Sequence, residues 1–320
     1  MSQFILNKSI IHHVSVINRN IEQTFHFYHD LLGLDLVLKT VNQDDVEMYH
    51  LFFGDTKGRP GTEFTIFQIK DGVDRTFGTN AIERTVFAVP NEAALYFWES
   101  RLNEFGIFNC EIEEYNDSKI LRFEDFDGVQ LGIVPVRDVN NDFFPRKTRE
   151  IDLENAILGI DSVHLRVRYP LATSKNMQQM FNLELTKTIS QGNFPTLVLT
   201  KSNTLFNQEI HIIEDKRSTL EVPGIGSAHH IALSVKNTEE LSTVEQKIVE
   251  RNFKNSGVKF REFFTSIYFR EPNQLLFEVA TEEIALTKKD YVITNFDDIP
   301  LSLPSFLEPQ RESIERHLYK

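Results

Sequence analysis

Two pairs of adjacent histidines and one glutamate are the residues of this chain whose types and spacing could do chemistry. His12-His13 and His229-His230 each open a stretch in which residues alternate in the manner of a β-strand. Glu278 lies in a later apolar run, where a carboxylate needs a charged partner or a metal. Two imidazoles and one carboxylate suit non-haem Fe(II), or Mn(II), and leave neighbouring metal positions open for substrate and dioxygen.

The two histidine pairs belong to a repeat that occurs four times. Similar segments open at Ile11, Glu83, Ser162 and Ala228, and each is followed by a helical stretch and three short strand-like runs. The opening position and the last-strand position are 55 residues apart in the first unit and 48, 47 and 48 apart in the others. The repeat therefore predicts four βαβββ modules, which is an α+β fold with curved mixed sheets.

The order of the modules predicts the division of the chain. We expect an N-terminal domain of two modules over residues 1–138 and a polar linker over 139–155. A C-terminal domain with the other two modules should cover residues 156–285. The C-terminal extension, residues 286–320, breaks the repeat and should close with a short helix from Glu308 to Leu318.

The pairing of the modules decides which residues meet. Alternation along a strand places one opening residue and one last-strand residue of each module on the concave face of a sheet. Only the fourth module offers both a histidine and a carboxylate there, His230 and Glu278. The third ligand is His164 if modules three and four pair, and His13 if modules one and four pair. The last-strand position of the first module is assigned to Gln68.

The remaining histidines receive different interpretations. His12 and His229 precede the candidate ligands, so they face the other side of the sheet unless a β-bulge redirects them. His164 and His211 could form a rival metal pair in the third module. The others, on the first helix and a middle strand, are interpreted as surface or packing residues: His26, His29 and His50.

Composition and charge exclude several classes of protein. The chain has 320 residues, with 34 Lys and Arg against 47 Asp and Glu and a formal net charge of −13. An acidic chain without a basic run is a poor binder of nucleic acid. The single cysteine, Cys110, excludes an intrachain disulfide and a cysteine-based zinc site. Without an apolar leader or membrane-length apolar stretch, we expect a cytoplasmic protein with no membrane partner.

Several motifs are similar to those of a known superfamily. The opening His12 to Val16, the run Lys39 to Asp45, the run Tyr49 to Asp55, Pro60 to Thr62 and the terminal Leu307 to Glu315 carry the similarity. Together they resemble the vicinal oxygen chelate superfamily, and within it the hydroquinone-cleaving ring dioxygenases. The resemblance extends over nearly the whole chain. It implies an extradiol-type enzyme that opens the ring of a small aromatic substrate with dioxygen, in quinone detoxification or aromatic catabolism. Assembly into a homo-oligomer is compatible with this resemblance.

The resemblance also implies a set of site residues. Its metal site combines the first and last modules, which gives His13, His230 and Glu278 as ligands of Fe(II) or Mn(II). The same comparison implies five neighbouring site residues. Tyr268 and His229 would donate hydrogen bonds or a proton, and Arg261 would orient the substrate. His12 would act as the acid–base group for the second substrate hydroxyl, and Ser15 stands where the family more often has Thr.

Two other functions compete with ring cleavage. A glyoxalase-type isomerase or lyase would use the metal as a Lewis acid, with Gln68 as a fourth protein ligand. A non-catalytic binding protein of the bleomycin-resistance type would sequester an aromatic ligand and would not need metal ligands.

Overall fold

The structure is a computed structural model that describes residues 9–107, 110–137, 143–202, 204, 207–282 and 295–318. The N-terminal residues 1–8, on which the absence of a leader was judged, lie outside these ranges. No helix in the described ranges has both the length and the apolar character needed to cross a membrane.

All four modules have the predicted order of one strand, one helix and three strands. The first module contains β1 (Ile11–Asn18), α1 (Ile21–Phe25) continued by a π-helix (His26–Leu31), β2 (Asp35–Val41), β3 (Tyr49–Gly54) and β4 (Glu63–Gln68). The second contains β5 (Ala81–Val89), α2 (Ala93–Glu104), β6 (Glu111–Tyr115), β7 (Ser118–Glu124) and β8 (Gln130–Pro135).

The other two modules repeat this order. The third contains β9 (Gly159–Val167), α3 (Pro170–Phe181), β10 (Glu184–Gln191), β11 (Phe194–Thr200) and β12 (Glu209–Glu214). The fourth contains β13 (Ala228–Val235), α4 (Thr238–Glu250), β14 (Asn255–Phe260), β15 (Thr265–Arg270) and β16 (Leu276–Thr281).

Local sequence signals explain where the module helices begin and end. The Asn20 side chain accepts a hydrogen bond from the Gln23 amide and caps α1. Helix α4 is capped by Asn237, which accepts from the Glu240 amide, and Thr238 is already the first helical residue. Gly33 has a φ of +72° and ends the first helical segment.

The sixteen strands form two mixed sheets of eight strands each. The first sheet has the order β14-β15-β16-β13-β1-β4-β3-β2, and the second has the order β10-β11-β12-β9-β5-β8-β7-β6. Modules one and four therefore share the first sheet, and modules two and three share the second. The predicted α+β fold with mixed sheets is confirmed. Each sheet joins a module from residues 1–138 to one from residues 156–285, and the boundaries at 138, 155 and 285 stay a prediction.

The apolar core fills the space between the sheets and beneath the helices. The Phe64 ring of the first sheet packs against the Phe87 ring of the second, with centroids 5.5 Å apart. Beside them, the buried Tyr28 hydroxyl donates to Asp125 in the second module at 2.7 Å. Burial of such large side chains from both sheets in one cluster holds the two sheets together.

The described part of the C-terminal extension lies on the first module. The amide of Ser302 donates to the Lys39 carbonyl at 2.8 Å, and the buried Lys39 ammonium donates to the Phe296 carbonyl at 2.9 Å. The closing helix, α5 (Arg311–Leu318), follows a 3₁₀ turn at Glu308–Gln310. Residues 286–294 of the extension and 138–142 beside the linker lie outside the described ranges, and residues 143–155 contain neither helix nor strand.

Candidate active site

Three side chains converge at the centre of the first sheet. Nε2 of His13 lies 3.1 Å and Nε2 of His230 lies 3.0 Å from the same oxygen of Glu278, and the two Nε2 atoms are 3.2 Å apart. All three residues are buried, with exposures of 2% or less. They form a group whose geometry could hold one metal ion.

Strand pairing brings these residues together. Strand β1 lies beside β13, and β13 lies beside β16. In this register His13 and Glu278 flank Ala232 from opposite sides, and His230 precedes Ala232 by two residues on the same face. The two open alternatives for the third position thus differ in space: His13 lies beside Glu278, whereas His164 lies on β9 in the second sheet.

The electrostatics of this group fit a divalent cation. Neither Glu278 oxygen receives a well-aligned hydrogen bond from the described residues, although the carboxyl group is fully buried. Burial alone would raise the pKa of Glu278, but the imidazoles of His13 and His230 hold it well below its usual range. Burial lowers the pKa of His230, which keeps its ring neutral. A buried anion facing two imidazole nitrogens lacks a cation to neutralise it.

A β-bulge at the first histidine of each pair redirects its side chain. Along β1 the register shifts at His12, and along β13 it shifts at His229. Nδ1 of His12 lies 3.1 Å from Nδ1 of His13, and Nδ1 of His229 lies 2.8 Å from Nδ1 of His230. Both side chains therefore lie next to the candidate ligands. His229 is exposed, whereas burial and the adjacent His13 lower the pKa of the buried His12 to about 3.

A cavity of about 260 Å³ reaches the centre at His230. For comparison, an apolar cavity of about 150 Å³ accommodates benzene. Its wall contains four phenylalanines and several polar groups that could orient a ring. They are Phe52, Phe67, Phe263 and Phe264, with His50, His229, Arg261 and Tyr268.

Two predicted residues of the fourth module face this cavity. Tyr268 pairs with Glu278 across β15 and β16, and burial and the Glu278 charge raise the pKa of Tyr268 well above its usual value. Arg261 lies in the turn after β14, with its guanidinium carbon 5.6 Å from the Tyr268 ring centre. It forms an ion pair with Asp44 at 2.6 Å. Although burial opposes it, this pair raises the pKa of Arg261 and keeps it charged.

Ser15 lies at the centre together with two residues that the sequence did not indicate. Its hydroxyl is 3.1 Å from Nε2 of His230 and 2.6 Å from the Thr65 hydroxyl, which in turn lies 3.0 Å from Nε2 of His50. Thr65 holds the position in the first module that Glu278 holds in the fourth, since Ser15 pairs with Thr65 as Ala232 pairs with Glu278. The insertion before β4 hides this equivalence in the sequence.

Gln68, the residue that spacing assigned to the last-strand position of the first module, lies away from the candidate ligands. Gln68 donates to the Arg19 carbonyl at 3.2 Å and lines a different surface cavity. The geometry therefore does not bring Gln68 to the candidate ligands. A buried carboxyl that the sequence did not indicate, Glu63, lies 3.5 Å from His12, and burial and Asp55 raise its pKa to about 8. His12, His13 and Glu63 form a second group with metal-binding spacing.

The rival pair His164 and His211 lies in the second sheet, where the two rings stack at 4.6 Å. His211 is engaged by its neighbours: Tyr115 lies 2.5 Å from Nδ1 and Glu209 lies 2.7 Å from Nε2. Among the described residues, His164 and His211 are in neither group with metal-binding spacing. Asp44, in the exposed loop after β2, is the ion-pair partner of Lys259 and Arg261.

Comparisons with known proteins indicate the family of this chain. The model of the Glyoxalase/Bleomycin resistance protein/Dioxygenase superfamily matches residues 10–133. MhqA of Bacillus subtilis strain 168, a candidate ring-cleaving dioxygenase, is 34% identical over 96% of this chain and 97% of its own length. A chlorohydroquinone/hydroquinone 1,2-dioxygenase of Sphingobium indicum is 26% identical over 84% of each chain.

Solved structures show the same architecture. A crystal structure of a candidate dioxygenase from Bacillus subtilis superposes with a TM-score of 0.85 at 28% identity, covering 98% of this chain and 97% of that one. Glyoxalase I from Zea mays shares the fold at a TM-score of 0.62 and 14% identity, over 85% of this chain and 92% of its own.

The chain therefore belongs to the glyoxalase, bleomycin resistance protein and dioxygenase superfamily. Its curated relatives include candidate ring-cleaving dioxygenases and a hydroquinone dioxygenase.

Proposed function

We propose that this protein is an Fe(II)-dependent dioxygenase that cleaves the ring of a hydroquinone-type aromatic. The observation that carries the proposal is the convergence of His13, His230 and Glu278 on one buried point at the base of a phenylalanine-lined cavity. The hydroquinone dioxygenase among the relatives supports the choice of substrate. Such an enzyme serves the detoxification or catabolism of quinones and related aromatics.

The three converging residues would hold the metal. Bound Fe(II), or Mn(II), would supply the one-electron chemistry that lets triplet dioxygen react with an electron-rich ring. Both oxygen atoms enter the product, which is a ring-opened acid. The hydroxyls of a hydroquinone are para to each other, so the cleaved bond joins a hydroxylated carbon to its ring neighbour.

The cavity residues would orient the ring and manage its protons. The phenylalanines hold a flat apolar ring and exclude water from the centre. Tyr268 keeps its proton because its pKa is raised, so its hydroxyl can donate a hydrogen bond or a proton toward oxygen. Arg261 remains charged and can stabilise negative charge that develops on the substrate. His229 faces the cavity, and His12 adjoins His13 for acid–base work on the second hydroxyl.

Oxygen uptake tests the proposal. Anaerobically Fe(II)-loaded protein is offered methylhydroquinone and catechol in parallel, with His13→Ala and His164→Ala beside the wild type. We expect uptake with the hydroquinone, its loss in His13→Ala and its retention in His164→Ala. Uptake that depends on His164 instead would move the centre to the second sheet. Bound iron without uptake from either ring would contradict the dioxygenase and favour a glyoxalase-type isomerase.

A further inference from the structure

We propose that Ser15, Thr65 and His50 form a proton relay that carries the proton of a substrate hydroxyl from the centre to the cavity. This inference rests on the proposed function, because a hydroquinone hydroxyl is the proton source that the relay would serve. Thr65 has no role in the function as described so far, and His50 has been named only as a polar group of the cavity wall.

The relay is a continuous chain of hydrogen-bonding groups. It begins at the Ser15 hydroxyl, 3.1 Å from Nε2 of His230, and continues over 2.6 Å to the Thr65 hydroxyl and over 3.0 Å to Nε2 of His50. Ser15 and Thr65 are completely buried. Three strands supply the members, since Ser15 lies on β1, Thr65 on β4 and His50 on β3. Neighbouring strands in one sheet fix these distances better than loops would.

His50 is oriented as the outer end of this chain. Its ring lies between Phe52 and Phe67, with centroid distances of 4.2 and 4.1 Å, and its side chain lines the cavity. Nε2 points to Thr65, and Nδ1 makes no hydrogen bond within the described ranges. Burial, together with the nearby His13 and His230, lowers the pKa of His50 well below its usual value. A neutral imidazole of this kind accepts a proton at one nitrogen and releases one from the other.

The apolar surroundings argue against a merely structural chain. A buried pair of hydroxyls adds little net stability, and apolar residues of the same shape would do as well in a wall made of Phe52 and Phe67. Ser15 and Thr65 instead form a polar path through that wall. The path connects the buried centre to His50, which is the member of the relay that lines the cavity.

The transfer conserves protons and moves no electrons. The substrate hydroxyl gives its proton to the Ser15 oxygen while the Ser15 O–H bond breaks toward Thr65. Thr65 passes its own proton to Nε2 of His50, and His50 releases the proton on Nδ1 to water in the cavity. Ser15 and Thr65 each lose one O–H bond and gain one, while His50 gains a proton on Nε2 and loses the one on Nδ1. The net result is a deprotonated substrate oxygen at the centre and a proton in solvent.

Proton release can be measured without ring cleavage. Metal-loaded protein and methylhydroquinone are mixed anaerobically in a stopped-flow instrument with a pH indicator. We expect Thr65→Val and His50→Phe each to slow proton release by at least about 10-fold. The double variant should be no slower than either single variant, because both break one chain. Melting temperature and metal content, measured in parallel, report on folding.

Matched controls separate a relay from packing. Thr196→Val and His164→Phe make the same changes at buried strand positions of the second sheet and should leave the rate unchanged. His50→Gln keeps a hydrogen-bonding group beside Thr65 but cannot take up a proton at one atom and release it from another. It should be as slow as His50→Phe, whereas a structural role would be rescued by glutamine.

The outcomes distinguish this inference from the proposed function. Proton release at the wild-type rate in His50→Phe or Thr65→Val would overturn the relay, as would a wild type that releases no proton. A wild type that releases a proton through His50 but consumes no dioxygen would refute ring cleavage and leave the relay in place.

Discussion

The two sheets have the same strand order and different chemistry. Strand register shows which positions correspond, because His13 pairs with Ala232 as Arg84 pairs with His164, and Ala232 pairs with Glu278 as His164 pairs with His211. In the second sheet, the positions of His13, His230 and Glu278 are held by Arg84, Ser162 and His211. The shared backbone arrangement therefore does not by itself create a metal site. The side chains at these three positions determine whether a metal can bind.

At the last-strand position, the two sheets differ in how the buried polar side chain is satisfied. In the second sheet Arg84 donates to the Leu131 carbonyl, and His211 is held between Tyr115 and Glu209. In the first sheet, within the part of the chain that the structure describes, neither oxygen of Glu278 receives a well-aligned hydrogen bond. Polar groups that are bonded to one another add to a fold, whereas a buried carboxylate without a donor indicates a ligand that belongs there.

The largest effect should come from the corresponding last-strand residues. Glu278→Gln removes the only negative charge of the three converging groups, and we expect metal affinity to fall at least about 100-fold with loss of oxygen uptake. His211→Gln, at the same position of the second sheet, should keep its metal and its activity. Metal titration of both variants checks this. Metal loss in His211→Gln would mean that the second sheet also contributes to the centre.

A smaller effect should distinguish Tyr268 of the first sheet from Tyr115 of the second. Tyr268→Phe removes a hydroxyl that faces the cavity and keeps its proton, so kcat should fall about 100-fold while iron is retained. Tyr115→Phe removes a hydroxyl held by His211 and should affect stability alone. Steady-state kinetics and iron content of both variants test the contrast. Loss of iron from Tyr268→Phe would show that Tyr268 is structural.

The smallest effect concerns pH and His164. Burial, followed by His211 and nearby arginines, lowers the pKa of His164 well below 6.5. Below a pH of about 6.5 the unfolded chain therefore binds a proton at this residue, whereas the folded chain does not. The free energy of unfolding decreases as the pH falls, by up to about 1.4 kcal/mol per pH unit. The free energy of unfolding should decrease less from pH 7 to pH 5 in His164→Phe than in the wild type. Urea unfolding at pH 7 and pH 5 measures this, and an equal pH dependence in both proteins would contradict it.

The sequence predicted most of the fold because its signals are local. Alternation in the opening strands, the Asn20 cap and the Gly33 stop each depend on neighbouring residues. The fourth-module spacing placed His230 and Glu278 on adjacent parallel strands, β13 and β16. Spacing failed where a loop changed length, so Gln68 was assigned a position that Thr65 holds.

Other features depended on contacts that no local pattern contains. Regular strand alternation would orient the side chains of His12 and His229 away from the centre. Two β-bulges orient them toward it. The loop after β2 meets the fourth module, where Gln43 donates to the Arg261 carbonyl and Asp44 forms an ion pair with the Arg261 guanidinium. A bulge and a loop contact are settled by the partner strand, which is distant in the chain.

By itself, the sequence determined the four modules and the residue types able to hold a metal, because both are written in short-range periodicity and chemistry. Only the tertiary structure decided that the first module pairs with the fourth. That pairing is a long-range choice between strands of similar pattern, made by the burial of both sheets against one core. It places His13 rather than His164 beside Glu278, and so it decides which of two histidines lies where a metal could bind.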